Sequence, residues 1–455
     1  MKIHHKILIV FIFFATQLIA QSKTKAPTWQ YLFDGKTTKG WVKRGGNAPF
    51  EVRGNELIGT CVKDPNNTFL CSEREYGDFI FEIDVNTEGV NTGIQFRSHS
   101  TEAYMSGRVH GWQLEIDPTP RAWTGGIYDE ARRQWTYIPA INPKAKTAYK
   151  GNGTWNKYRI EAIGNTLRTW VNGISVAYLV DTLVEKGFIA LQVHAPQNDD
   201  NIGQKIRFKN ARIQTGQNLQ TTPLDDTPVL NFTNTLALQE QKQGWRSLFN
   251  GKNLTGWRSA FKTTPPTEGW SVSDGILSIK GSNGSESRTF GDLVTTEQFS
   301  AFELCFEFRL TDSANSGVKY FINENLDAKG GSAIGLEYQL LDDEKHPDAQ
   351  LGAAGNRTLA SLYDLIPSYK QEKRFQRSIG AWNYGRIVVS PNNIIQHWLN
   401  GFKVEYERKS NIFAALVARS KYAAFNGFGL NDKGPLLLQD HGNSVSFRNI
   451  KIKVL

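Results

Sequence analysis

YGDFIFEIDVNTEGVNTGIQFRS, residues 76–98, sets Phe79, Phe81, Ile83 and Val85 against Ile80, Glu82 and Asp84 in strict alternation. A period of two marks a half-buried β-strand, because successive side chains leave opposite faces of the pleat. FSAFELCFEFRLTDSANSGVKYF, residues 299–321, repeats the pattern, with Phe302, Leu304, Phe306 and Phe308 set against Glu303 and Glu307. Turn signals recur between such runs, at Arg53-Gly54-Asn55, Val171-Asn172-Gly173, Ser273-Asp274-Gly275 and Leu399-Asn400-Gly401, as antiparallel hairpins require. Long helical periodicity is missing. The expectation is an all-β protein built from two-sheet sandwiches.

The two stretches belong to a longer duplication. LFDGKTTKGW (32–41) answers LFNGKNLTGW (248–257), HGWQLEID (110–117) answers IGLEYQLLD (334–342), and TWNKYRIEAIGNTLRTWVNG (154–173) answers AWNYGRIVVSPNNIIQHWLNG (381–401). Near the end of each copy stands Leu-Gln-x-His, at 191–194 and 438–441, followed by an alternating strand. About 200 residues per copy is too long for a solenoid repeat and right for a domain. Residues 27–215 and 244–455 are therefore expected to be two tandem domains. The polar segment 216–243, with Pro223 and Pro228, reads as a linker.

The first 20 residues carry a basic head, an apolar run from Ile7 to about Phe14 and a small-polar exit at Ala20-Gln21, the build of a secretory signal peptide. The expected location is secreted or periplasmic, with no membrane span after signal cleavage. The net charge of +9 is spread over the chain without a basic run, so no nucleic-acid partner is expected. Twelve Trp residues and 12% aromatics suit stacking against sugar rings as well as sandwich cores. Of the three cysteines, Cys305 reads as a buried apolar residue, while Cys61 and Cys71 could pair across a hairpin in an oxidising compartment.

Gln113, Glu115 and Asp117 alternate with Leu114 and Ile116, which puts three polar side chains on one sheet face. The second copy has Glu337 and Gln339 there, with Asp342, Asp343 and His346 just beyond. Asn91 and Asn315 stand beside a small residue and a glycine, where a ligand can approach the backbone. His194 and His441 end the Leu-Gln-x-His strings; His441 has Asp440 to orient its ring, whereas His194 follows Val193. On that ground the second copy is expected to be the more sensitive to loss of its histidine. Such carboxylates, amides and imidazoles suit sugar hydroxyls or proton transfer. A divalent metal is left open, since no ligand spacing fixes one.

Several of these strings together resemble the DUF1080, or 3-keto-disaccharide hydrolase, domain family. They are Phe33-Asp34-Gly35 and Phe249-Asn250-Gly251 before a Trp, Asn91-Thr92-Gly93 and Asn315-Ser316-Gly317, and GGIYDEARRQW (125–135). Further ones are GLEYQLLDDEKHPDA (335–349), Asn356-Arg357 before SLYDLIP (361–367), and LLLQDHG (436–442). The resemblance implies two concanavalin A-like jelly rolls acting on glycosides oxidised at C3. A ketone at C3 makes the hydrogen on C2 acidic, so a base can remove it while the oxygen on C1 departs.

In the second copy this chemistry implies His441 or Glu337 as base. Lys319, Gln339 or a cation would stabilise the enolate, and Tyr363, Asp343 or His346 would act as acid. In the first copy the set is Glu115, His194, Asp117, Gln95, Arg97 and Tyr128. Asn91, Gln113, Asn315, Gln439 and Asp440 are further substrate contacts, with Trp135, Trp112 and Trp123 as sugar platforms. A separate sugar oxidoreductase would supply the ketone, because neither copy has a dinucleotide fingerprint. The competing readings are a carbohydrate-binding protein without catalysis, and one active domain with a binding accessory.

Overall fold

The computed structural model describes residues 28–217, 219–282, 289–327, 333–368 and 376–455. The expected signal peptide, residues 1–20, lies outside them. The chain forms two β-sandwiches, each of two packed and mainly antiparallel sheets. The first has sheets of nine and seven strands, the second sheets of eight and five.

Strand Phe79–Thr87 lies inside the nine-stranded sheet, between Asn156–Ile163 and Lys205–Thr215. Phe79, Phe81, Ile83 and Val85 are buried between the sheets, as the alternation demands. Its duplicate, Phe302–Leu310, takes the matching place between Asn383–Val389 and Val445–Val454. The opposite face of that strand differs from the expected pattern. Glu307 is buried and accepts bonds from Arg448 and Asn449, and Cys305 is buried in the cluster that holds the first sandwich's core. The outer sheet of the second sandwich is covered because it packs against the first.

Part of the cover is the segment read as a linker. Val229–Asn231 adds a parallel strand beside Ile174–Val180, and Thr222 donates through its amide to Glu161 at 2.8 Å. Lys451 of the second sandwich reaches Asn231 O at 3.1 Å and Glu240 at 3.4 Å. Phe232 packs edge-on against Tyr384 at 5.7 Å. A polar, proline-containing composition does not by itself make a free tether, since hydrogen bonds to buried partners can order it.

Cys61 and Cys71 are free and buried, so no disulfide joins them. Burial pushes the thiols of Cys71 and Cys305 up to about 12, which leaves them as inert apolar groups. No helix among the described residues is long and apolar enough to cross a membrane.

Candidate active site

The site of the first sandwich is built on its seven-stranded sheet. Strands Thr92–His99, His110–Ile116 and Ile127–Glu130 lie side by side there, with Gly187–Val193 on the far side of Thr92–His99. The register puts Gln95 opposite Gln113, Gln113 opposite Tyr128, and Gly93 opposite Glu115. Gly93 is needed for what lies above it: a Cβ there would come within 2.3 Å of Gln113 Cδ. Gln113 crosses that space and donates from Nε2 to Glu115 Oε2 at 2.8 Å. Its Oε1 accepts from Gln95 Nε2 at 2.7 Å. Asn91 Nδ2 donates to the other oxygen of Glu115 at 2.7 Å.

Glu115, Gln113, Asn91, Tyr128, Trp135 and His194 line one cleft of about 690 Å³. Burial pushes the Glu115 carboxyl above its ordinary value against the Asn91 and Gln113 hydrogen bonds; Asp117 adds to the rise and His194 opposes it. Glu130 lines the same cleft and is raised by burial too, with Arg108 at 3.4 Å opposing. His194 Nδ1 lies 2.6 Å from Ala195 O. A carbonyl oxygen only accepts, so in the neutral ring the hydrogen sits on Nδ1 and the lone pair on Nε2. Asn67 Oδ1 accepts from the Ala195 amide and steadies this loop. Arg121, bonded to Asp117 at 2.8 Å and placed 4.1 Å from the Trp123 ring centre, closes one wall.

Five expected residues of the first copy do other work. Arg97 is 1% exposed; its guanidinium binds Gly77 O, Gly164 O and Asp78, so it ties loops together rather than holding substrate. Trp112 is wholly buried beneath Arg133, 4.8 Å from its ring centre, and offers no sugar platform. Trp123 packs on Phe402 of the second sandwich. Gln95 and Asp117 are fully buried behind the cleft, as supports for Gln113 and Arg121.

Two groups escaped the sequence reading. Glu130 stands two residues after Tyr128 in GGIYDEARRQW, hence on the same face, and the alternation could have found it. Gln192 sits inside the repeated Leu-Gln-x-His; Gln439 of the second copy was taken for the site, but in the first copy only the histidine was.

The second sandwich carries a different arrangement. Gly317 is opposite Gln339 and Lys319 is opposite Glu337, so Glu337 stands where the first copy has Gln113, and Gln339 where it has Glu115. Glu337 crosses the glycine, and a Cβ on Gly317 would lie 2.3 Å from its Oε1. Lys319 Nζ lies 3.8 Å from Glu337 Oε2, and the Tyr422 hydroxyl donates to the same oxygen at 3.5 Å. Gln339 Nε2 donates to Asn315 at 3.4 Å, the reverse of the Asn91-to-Glu115 direction. Glu115 and Glu337 are therefore not register counterparts: in the second copy the carboxylate stands two residues earlier on the strand.

The other expected groups of this copy are spread around that pair. Gln439 donates its amide to Gly317 O at 2.9 Å. Asn315 Nδ2 is 3.5 Å from His441 Nε2, and the His441 and His346 ring centres are 6.2 Å apart. His346 Nδ1 accepts from the Asp348 amide at 3.2 Å. Tyr363 donates to Asp348 at 2.8 Å, and Arg357 bridges Asp348 and Asp364. Asp343 accepts from the Leu359 amide.

Asp440, expected to orient the His441 ring, binds backbone amides. It is fully buried and accepts from the amides of Phe290, Gly291 and Gly442, which makes it a loop clamp. Its own amide donates to Asp292, whose carboxyl burial pushes up to about 6. Among the described residues no group of three or more His, Cys, Asp or Glu side chains is placed to hold a metal ion.

Comparison with known proteins defines the class and then the family. The profile of the 3-keto-alpha-glucoside-1,2-lyase-like domain matches residues 28–214 and again 244–453. The chain belongs to that family and contains its domain twice. A 3-keto-disaccharide hydrolase of Bacteroides thetaiotaomicron is 34% identical over 240 residues, covering 48% of this chain and 81% of the relative. A solved candidate glycosyl hydrolase of Parabacteroides distasonis is 28% identical and covers 49% of this chain and 99% of its own, with a TM-score of 0.42. A carbohydrate-binding module of Bacillus subtilis is 16% identical over 39% of this chain and 96% of its own, with a TM-score of 0.28.

Proposed function

We propose that the chain is an exported enzyme that cleaves glycosides oxidised at C3, and that the cleft of the first sandwich is a working site. The observation that carries the reading is the pairing of two unlike proton groups in one cleft. His194 turns Nδ1 to Ala195 O, so its neutral ring carries the lone pair on Nε2, and Glu115 in the same cleft is biased by burial toward its protonated form. A base and an acid facing one cleft are what an elimination needs. Family membership and the 3-keto-disaccharide hydrolase relative support the choice of a keto-glycoside.

In this reading His194 Nε2 removes the hydrogen from C2. The electron pair passes first to the C3 ketone as an enolate; when the ketone re-forms, the C1–C2 double bond forms, the C1–O bond breaks, and the departing oxygen takes the proton of Glu115. Water added later across that double bond would complete a net hydrolysis. Tyr128 and Trp135 supply apolar wall for the sugar ring. An oxidoreductase acting earlier would supply the ketone. Two incubations test the first step, a 3-keto-glycoside in heavy water and its C2-deuterated form in ordinary water: deuterium should appear at C2 of the substrate recovered from the first, or the second should release aglycone with a primary isotope effect. Absence of both, with aglycone still released, would rule out proton abstraction at C2.

A further inference from the structure

Gln192 is 0% exposed, and neither Nε2 nor Oε1 has a hydrogen-bond partner among the described residues. Yet it lines the cleft together with Glu115, Tyr128 and His194. A buried amide left unpaired is costly, and sheet packing does not demand one here. One pleat earlier on the same face the strand uses Ala190, and Val193, between Gln192 and His194, fills the core.

The backbone at this point is well held. Gln192 pairs with Phe69 on one side, and its carbonyl accepts from the Thr92 hydroxyl on the other. With Leu191 opposite Ile94, the next step of the register brings Gln192 beside Gly93, across from Glu115. The second sandwich repeats the device: Gln439 is bonded by its amide to Gly317 O, and its Oε1 has no partner among the described residues.

We propose that Gln192 is a catalytic residue that binds the oxygen on C3 of the keto-sugar and holds the charge that gathers there. The assignment rests on the glycoside-cleaving reading above. As His194 takes the hydrogen from C2, the C–H electron pair moves into the C2–C3 bond and the ketone oxygen becomes an enolate. The Nε2–H of Gln192, already in place and shielded from water, donates to that oxygen, while Oε1 accepts from a neighbouring sugar hydroxyl. The ketone then re-forms, the C1–C2 double bond forms and the C1–O bond breaks, with the proton of Glu115 going to the leaving oxygen. No oxidant or reductant is consumed. A parent sugar with a hydroxyl at C3 forms no enolate and gains nothing from the donor, so the same group serves specificity for the oxidised substrate.

The test uses the full chain and the 3-keto-glucoside of p-nitrophenol, comparing the unaltered protein with Gln192→Met and Gln192→Glu. Methionine keeps the length and removes both polar atoms; kcat should fall about 10²–10³-fold, the usual cost of one oxyanion donor, with KM little changed. Thermal stability of Gln192→Met should be equal or higher, because an unpaired buried amide is gone, whereas a merely structural amide would lower it on removal. Gln192→Glu keeps the shape, sets a carboxylate against the enolate, and should lose as much. Turnover of Gln192→Met within about threefold of the unaltered chain would overturn the role of Gln192 alone. No release by the unaltered chain would instead overturn the cleavage reading beneath it.

Discussion

Glu115 is held by two amide donors and Glu337 by an ammonium group 3.8 Å away, so the two carboxylates answer differently to the same substitution. Glu115→Gln keeps the shape and removes the proton donor. Turnover at the first cleft should fall about 10²–10⁴-fold. Glu115 is raised by burial, so its acid form is lost as pH climbs through the folded-state value. The alkaline limb of the unaltered chain's pH–rate profile therefore belongs to this group. The same sign holds for stability: the contribution is complete below the unfolded value and lost as pH rises through the folded one, so Glu115→Gln should outlast the unaltered chain in alkaline melting curves.

Glu337→Gln instead leaves Lys319, only 8% exposed, without its counter-ion and should destabilise by about 3 kcal/mol, read from denaturant unfolding. Equal stability of the two variants would refute the difference. Alternation was enough to put Gln113 with Glu115, and Glu337 with Gln339, on one sheet face in each copy. Their pairing across strands was not legible, because register depends on which residue stands opposite on a distant segment. Asp440 shows the same limit, since two of the amides it clamps, on Phe290 and Gly291, lie far away in sequence.

Strand Ile394–Leu399 carries a buried histidine outside the cleft of the first sandwich. His397 Nε2 bonds the Tyr320 hydroxyl at 2.8 Å, and burial holds the ring down at about 3, against an ordinary 6.5. Between those values the unfolded chain binds a proton that the folded one refuses, so stability is complete above about pH 6.5 and declines as pH falls toward 3. His397→Phe should flatten this decline in urea unfolding curves taken across that range, and an unchanged slope would contradict it. Strands were the most legible elements, because two core faces with period two admit few alternatives. The histidine was not, since an isolated His in WLNG-flanking sequence carries no sign of Tyr320, which it bonds, or of Tyr406, which bonds the Tyr320 hydroxyl in turn.

At the scale of the whole molecule, the duplication showed two sandwiches but hid their seam. Residues 222–242 looked free in composition, yet Arg168 holds Thr222 O at 2.7 Å and Pro223 O at 3.0 Å, and Val229–Asn231 is a strand. Limited proteolysis should therefore spare 222–242; early cutting there would restore the tether reading. The seam also reaches the cleft, because Phe402 packs 5.4 Å from Trp123, and Arg377 donates to Trp135 O at 3.3 Å. Phe402→Ala should consequently raise KM at a cleft in the other sandwich while leaving the pH profile in place. The central claim is that the chain cleaves glycosides only once C3 is a ketone. Its most direct measurement is aglycone release by the full chain from a 3-keto-glucoside and from the unoxidised glucoside at matched concentrations, with Glu115→Gln beside it. The account predicts release from the keto-sugar alone, and its collapse in the variant. Equal release from both sugars, or none from the keto-sugar while both bind, would contradict it.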